Sequence, residues 1–269
     1  MNKPIKIVTI IQARMGSSRL QSKVLMPLAG KPLLLRMYER VDAAIYTDTI
    51  IIATTEEEND DPVISLCKDN GIKFYRGNST DLLDRHYKAA LPFNPYAVVK
   101  IPSDCPLIDP GIIDKVLKYY IDNKKLFDFV SNLHPPSYPD GNDVEIFSAG
   151  ALKDAWLNAK KELEREHTTP YFWENQDKFN VGNVQWESGK DYSMSHRFTI
   201  DYMQDYEFIK RIYEELYTED KIFSLQDILI LLDEKPEIKN INEKYAGVNW
   251  YRNHLDELKT ITKKNTRNT

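Results

Sequence analysis

The sequence predicts an α/β domain: a mostly parallel central sheet, helices on both of its faces, and a smaller insertion contiguous in sequence. Three observations carry this. Short apolar, β-branched runs alternate with amphipathic stretches of helical spacing as far as about residue 130, the rhythm of βαβ units. The runs are apolar at nearly every position, as strands buried on two faces must be. After about residue 133 the rhythm breaks.

Taken in order, IKIVTII at 5–11 is the first strand. Leu34, Tyr38, Val41 and Ile45 then fall at helical spacing behind Pro32, a residue suited to a helix start. Residues 49–53 read as a strand, 62–67 as a helix ending near Asn70 and Gly71, and 72–75 as a short strand. Residues 81–91 form a helix that Thr80 or Asp81 can cap. A strand follows at 96–101, then a helical stripe of Ile112, Ile113, Val116, Leu117, Tyr120 and Ile121, and a strand at 127–130. Right-handed crossovers place these helices on both faces. Beyond His134-Pro135-Pro136 the segment 138–147 is extended around Asp140 and Gly141. Two helical stretches come next, then strands near 179–186 and 197–200, and helices near 205–217 and 224–232. Residues 1–258 are expected as one domain, with about 134–200 as its insertion and the Lys/Thr/Asn-rich 259–269 as a fraying tail.

Composition narrows the function classes. The 269 residues are 42% hydrophobic and 29% charged, ordinary for a globular enzyme-sized domain. A net charge of −5 argues against a general nucleic-acid binder. Cys67 and Cys105 lie far apart with no CxxC or Cys/His cluster, so neither structural zinc nor a disulfide framework is expected. No apolar run approaches the ~18 to 20 residues needed to cross a bilayer. Met1 to Pro4 lead straight into the first strand, so no signal peptide is expected and the setting is cytoplasmic.

Chemistry concentrates behind the first strand, in Gln12, Ala13, Arg14, Gly16, Ser17, Ser18, Arg19 and Lys23. A loop there stands at the carboxyl edge of the sheet, where open α/β folds bind ligands. Small residues permit close backbone approach, and successive N–H groups can cradle an anion. Three cations in twelve residues suit a polyphosphate. The pattern is neither GxxxxGK[ST] nor GxGxxG. An ordinary solvated basic loop is the alternative.

IIQARMGSSRLQSKVLMPLAGKPLL resembles the nucleotide-binding opening of the CMP-sugar synthetases, the cytidylyltransferases that activate Kdo and acylneuraminate. It is most similar to their relatives in spore-coat polysaccharide biosynthesis, the SpsF-like proteins. Four further blocks agree in order: RGNSTDLLDRHY, IPSDCPLIDP, YPDGNDVEIFS followed by EREHTTPYFWEN, and RFTIDYMQDYEFI. The resemblance spans about residues 5–217. It implies a Rossmann-like nucleotidyltransferase with an acceptor-side subdomain, transferring CMP from CTP to a small anionic sugar-like acceptor. It implies Arg14, Arg19 and Lys23 as triphosphate contacts, with Arg14 and Lys23 also catalytic. Relatives are commonly homodimers, which makes 134–200 a candidate dimerisation region as well.

Two aspartates are implied as catalytic ligands of Mg²⁺. Asp104, with Ser103, follows the buried strand at 96–101 and stands over the same sheet edge. Mg²⁺ is satisfied by one or two carboxylates with phosphate oxygens and water. Pro106 removes a DxD reading. Asp201 follows the strand candidate 197–200 and resembles the family's second magnesium ligand. The competing roles are a turn cap for Asp104 and a helix cap for Asp201. No protein nucleophile is required, because positioning and charge neutralisation carry phosphoryl-type transfer.

Thr54, Arg76, Asp81 and Arg85 fall where the family borders the cytidine; Asp81 and Arg85 are also spaced as an i,i+4 ion pair. For the acceptor, Tyr138, Asp140, Asp143 and Glu145 offer a hydroxyl-recognising rim, and Arg165, Glu166, His167 and Arg197 an anion-binding group. Asn142 stands where the family commonly has an aliphatic residue. His86, His134, His196 and His254 lack ligand spacing and are expected to be structural or exposed. Competing functions are a transferase using another NTP or a phosphate or phosphonate acceptor, and a nucleotide-binding protein without turnover. An NAD oxidoreductase would need GxGxxG.

Overall fold

The computed structural model describes residues 5–267. Met1 to Pro4, on which the absence of a signal peptide was argued, lie outside the described residues, as do Asn268 and Thr269 of the expected tail. In chain order the elements are β1 (Ile7–Gln12), β2 (Pro27–Leu28), β3 (Lys31–Pro32), α1 (Leu33–Asp42), β4 (Thr49–Thr55) and α2 (Asp61–Asp69). There follow β5 (Lys73–Gly77), α3 (Leu82–Ala90), β6 (Ala97–Pro102), α4 (Pro110–Asn123), β7 (Phe129–Ser131) and β8 (Glu145–Ser148). The remainder comprises α5 (Ala149–Asn158), α6 (Glu162–His167), α7 (Pro170–Trp173), β9 (Val181–Asn183), α8 (Met203–Leu216), α9 (Leu225–Glu234) and α10 (Pro236–Lys239).

The main sheet has seven strands in the order β5-β4-β1-β6-β8-β7-β9. The strands β5, β4, β1 and β6 run parallel, whereas β8 is antiparallel to β6 and β7. The two-faced burial read from IKIVTII is present. Ile7 and Ile11 pack with Leu34, Val63, Val116 and Tyr120 from α1, α2 and α4. Val8 and Ile10 face the other way, onto Leu83, Leu152, Phe172 and Trp173 from α3, α5 and α7. Each such large apolar side chain contributes about 1.5–3 kcal/mol by leaving water. A third cluster ties α8 and α9 to Leu28, Leu107, Phe198 and Ile200.

The insertion differs from its expected form. It is not only a cover over the sheet edge, because its strand β8 enters the central sheet between β6 and β7. Register opposes Lys100 on β6 to Glu145 on β8, and the two side chains form a buried ion pair. The charge of Lys100 inside an apolar strand is neutralised there. Residues 197–200 are not a strand of any sheet, and a single bridge joins Arg197 to Asp140. Nor is the segment from Lys259 free: the backbone N–H groups of Lys259 and Thr260 donate to Glu174 at 2.6 and 2.9 Å, and Ile261 is buried.

Candidate active site

A cavity of about 850 Å³ opens at the carboxyl ends of β1 and β6. Its walls bring together Gln12, Ala13, Arg14, Ser17, Ser18, Arg19 and Lys23 from the loop after β1, and Ser103 and Asp104 from the end of β6. Asp81, Arg85, Tyr138, Asp140, Asp143, Glu145, Arg165, Glu166, His167, Arg197 and Asp201 reach it from elsewhere. Gly16 is exposed and not among the lining residues.

The loop is held by a residue that spacing did not single out. Asp60, buried before α2, accepts from the Met15 N–H at 2.7 Å and from Thr54 Oγ1 and Thr55 N at 2.9 and 3.0 Å. Burial works against its charge, yet these hydrogen bonds hold its carboxyl below the ordinary value. Thr54 is therefore a fully buried anchor for Asp60 rather than a cytidine contact. Arg76 also leaves the expected site. Its guanidinium donates to the carbonyls of Thr55, Glu56 and Glu57 at 3.0–3.1 Å and pairs with Asp61 at 2.7 Å.

Asp104 and Asp201, 97 positions apart, do converge. The means is the extended segment 197–200. The Asp104 carbonyl accepts from Ile200 N at 2.8 Å and Thr199 Oγ1 at 3.1 Å, while Phe198 N donates to the Asp140 carbonyl at 2.7 Å. Gly141, at φ +101°, is required here, because a Cβ would lie 2.6 Å from the Phe198 backbone carbon. Lys23 sits between the two aspartates, 3.1 Å from Asp201 and 3.5 Å from Asp104, with its Nζ also donating to the Ile200 carbonyl at 2.5 Å. Lys23 is thus buried, at 8% exposure. Burial disfavours its charge, but the two carboxylates raise its pKa above the ordinary lysine value.

Asp201 does not cap α8; Asp205 does, accepting from the N–H groups of Asp201 and Tyr202 at 2.9 and 3.0 Å. The Asp201 side chain instead meets Arg19 at 2.7 Å and Arg197 at 3.0 Å. Burial opposes its ionisation, but Lys23, Arg19 and Arg197 hold its carboxyl far below the usual range. Asp143 is the reverse case. Burial first, then the charge of Asp104, pushes its carboxyl up to about 7, against a hydrogen bond from Gly141 N. Asp140 is likewise pushed up by burial and Asp143, with Arg197 pulling the other way.

The cations expected to receive an acceptor anion are already engaged. Arg197, buried, meets Asp140 at 3.3 Å, Asp205 at 3.0 Å and Asp201, and donates to the Val248 carbonyl at 2.6 Å. Arg165 grips Asp81 through two nitrogens at 2.8 and 2.5 Å and the Trp156 carbonyl at 2.8 Å. Asp81 also caps α3 through Asp84 N at 2.8 Å, and Arg85 donates to the carbonyls of Asn78 and Ser79. The i,i+4 pair of Asp81 with Arg85 does not form. Tyr138 stacks on Trp186 with ring centroids 5.6 Å apart. Asn142 turns inward, 1% exposed, accepting from Asp109 N.

Residues missed by sequence complete the far wall. Lys100, Asn132, His134, Trp173 and a C-terminal stretch from Val248 to His254 all line the cavity. His134 and His254, expected to be structural or exposed, both lie on this wall. His134 stacks on Trp173 at 4.3 Å, and His167 on Trp250 at 3.9 Å. Burial lowers both imidazoles to about 3, with Lys100 adding to it, so they stand neutral at physiological pH. The signals available were the lone lysine in VVKI and the aromatic-basic cluster NWYRN.

A mostly parallel sheet with a basic, small-residue loop behind its first strand and acidic groups over the same edge is the arrangement of a nucleotide-binding α/β enzyme. The family model for cytidylyltransferases matches residues 8–231, and the chain belongs to that family. A cytidylyltransferase structure from Leptospira borgpetersenii superposes with a TM-score of 0.82 at 33% identity, covering 87% of this chain and 96% of that one. The spore coat polysaccharide biosynthesis protein SpsF of Bacillus subtilis is 30% identical over 236 residues, 86% of this chain and 95% of its own. An uncharacterised protein of Methanocaldococcus jannaschii is 36% identical over 242 residues, 88% of this chain and 95% of its own. The resemblance to CMP-sugar synthetases and their SpsF-like members is thus established, as is a CTP-dependent nucleotidyltransferase class. Among the described residues no helix is long and apolar enough to cross a membrane.

Proposed function

We propose that this cytidylyltransferase moves CMP from CTP onto a hydroxyl of a small anionic, sugar-like acceptor, releasing pyrophosphate, in the making of a surface polysaccharide or glycoconjugate. The observation that carries the reading is the convergence of Lys23, Asp104 and Asp201 beside the Arg14–Arg19 loop. Arg14, exposed on the loop, and Arg19 would bind the triphosphate, while Asp60 fixes the loop at Met15. The acceptor oxygen bonds to the α-phosphorus as the bond to the bridging oxygen breaks. Pyrophosphate leaves with that bonding pair, and the hydroxyl proton passes to the aqueous cavity. Lys23, held between Asp104 and Asp201, would meet charge developing on the phosphates from a preorganised position.

The donor set fits Mg²⁺. Asp104, Asp140, Asp143 and Asp201 face one cavity, and burial together with the charge of Asp104 pushes the Asp143 carboxyl up to about 7. No three candidate ligands among the described residues are grouped closely enough to hold an ion alone. Asp104 and Asp201 would therefore share it with phosphate oxygens, where it neutralises the polyphosphate. The spore-coat role of the Bacillus relative supports a glycan product, and a cytoplasmic homodimer completes the reading.

Pyrophosphate release from CTP with a panel of sugar acids and sugar phosphates, followed by mass spectrometry, tests the proposal. One CMP conjugate per pyrophosphate is expected. Release without a conjugate, or conjugates formed equally from ATP, would overturn it.

A further inference from the structure

The chain beyond residue 231 lies past the stretch matched by the family model, yet it builds one wall of the cavity. This wall is fixed at both sides. Toward α8, Asn242 donates to the Arg197 carbonyl at 3.0 Å and to Asp205 at 2.9 Å, and Tyr245 stacks on Tyr202 with centroids 4.0 Å apart. Toward the insertion, Trp250 lies on His167, and Tyr251 packs with Trp173 and His134. Between them Trp250–Asn253 form a single 3-10 turn, started by Asn249, whose side chain accepts from Tyr251 N at 3.1 Å.

That turn presents Arg252 to the cavity. Arg252 differs from the other arginines on this side. Arg197 is saturated by three carboxylates and a carbonyl, and Arg165 by Asp81 and the Trp156 carbonyl. Among the described residues Arg252 has no carboxylate partner; its one polar contact is 3.4 Å to the Tyr202 hydroxyl. The Tyr202 ring also carries Arg19 at 5.7 Å and Arg197 at 5.9 Å, both partners of Asp201, so the guanidinium shares this ring with cations of the transfer centre, while Trp250 and Tyr251 of its own turn belong to the acceptor wall. A half-buried guanidinium held on a braced turn offers a planar fork for a carboxylate or a phosphate.

We propose that Arg252 is the receptor for the acceptor's anionic group, and that through it the C-terminal wall selects acceptors bearing an anion near the hydroxyl to be cytidylylated. This rests on the reading of the chain as a cytidylyltransferase with an anionic acceptor. The receptor is supplied from beyond residue 231, where the match to the family model ends.

The test uses the full chain as wild type, Arg252→Gln and Arg252→Lys. Probes are 3-deoxy-manno-octulosonate, N-acetylneuraminate and their methyl esters, and glucose 1-phosphate against glucose, which separates a carboxylate from a phosphate. Stabilisation by CTP with Mg²⁺ is expected to be equal in all three proteins. For the best anionic probe, Arg252→Gln is expected to lose about tenfold to a hundredfold in kcat/KM, mainly through KM, as one charge-assisted hydrogen bond is lost. Arg252→Lys should recover part of it, and the deficit should vanish with the neutral counterpart. If no probe turns over, each anion is read by thermal shift with CTP present; a shift in wild type that Arg252→Gln lacks supports the proposal. Equal kcat/KM or equal shifts in wild type and Arg252→Gln, no shift with any anion, or a deficit as large with the neutral counterpart would overturn it. So would CTP stabilisation lost in Arg252→Gln alone, which would place Arg252 on the nucleotide. A wild type that CTP does not stabilise sinks the cytidylyltransferase reading itself, and this inference with it.

Discussion

The two walls of the cavity are built differently. The nucleotide wall comes from one loop and the end of one strand: Gln12 to Lys23 after β1, and Ser103 and Asp104 after β6. The acceptor wall is gathered from β6, the insertion, α6 and the C-terminal stretch. On the first, Arg14 is exposed, while Arg19 and Lys23 pair with Asp201. On the second, arginines are already paired with the protein's own acids, Arg165 with Asp81 and Arg197 with Asp140, Asp201 and Asp205. On both walls most cations are thus held by the protein's own acids, and among the described residues Arg14 on one and Arg252 on the other stand without a carboxylate partner.

Arg197 is where the walls join, and its removal should have the largest effect. Arg197→Gln leaves Asp140, Asp201 and Asp205 without their shared cation, and breaking a buried pair typically costs about 3–5 kcal/mol. Urea unfolding should show that loss. A cost within the range of an exposed salt bridge would mean that the acceptor wall stands without it.

The two aspartates should separate in the next experiment. Asp104→Asn is expected to cut turnover by about a hundredfold to a thousandfold, with little change in Tm, because among the described residues only Lys23 forms an ion pair with its side chain. Asp201→Asn should match that loss and also destabilise the protein by on the order of 1–3 kcal/mol, since Lys23, Arg19 and Arg197 all lean on it. Higher Mg²⁺ should partly restore each. Equal Tm values for the two variants would erase the distinction between a ligand-facing and an architectural carboxylate.

A smaller effect belongs to Asp143. Its folded value of about 7 lies above the ordinary aspartate value near 3.9. A raised carboxyl favours the folded state below the unfolded value, and that contribution is lost as pH rises from about 4 through 7. Without divalent cations, wild type should therefore lose stability over this window relative to Asp143→Asn, as urea unfolding at pH 5 and pH 8 would show. Mg²⁺ should flatten the slope by favouring the charged form. Parallel pH profiles would show Asp143 to be ordinary.

The same contrast explains what the sequence disclosed. The strands, the helices on both faces and the loop after β1 were legible, since local periodicity and a contiguous motif carry them. Asp104 and Asp201 were legible as a pair only through family resemblance; their convergence depends on the 197–200 segment, which has no periodic signal. Thr54 and Arg76 were misplaced because a strand end shows which residues are near the edge, not which way each side chain turns. Thr54 turns to Asp60, and Arg76 to three carbonyls and Asp61. The C-terminal wall was invisible because its contacts, such as Trp250 with His167, span more than 80 residues.

The most direct test of the central claim is a calorimetric titration of nucleotide into the wild-type protein, with Mg²⁺ and then with EDTA. The account expects CTP to bind well ahead of ATP and GTP, to lose most of its affinity in EDTA, and at ~100 times Kd to stabilise the fold by roughly 2.7 kcal/mol. CTP binding unchanged by EDTA, or ATP binding as tightly as CTP, would contradict it.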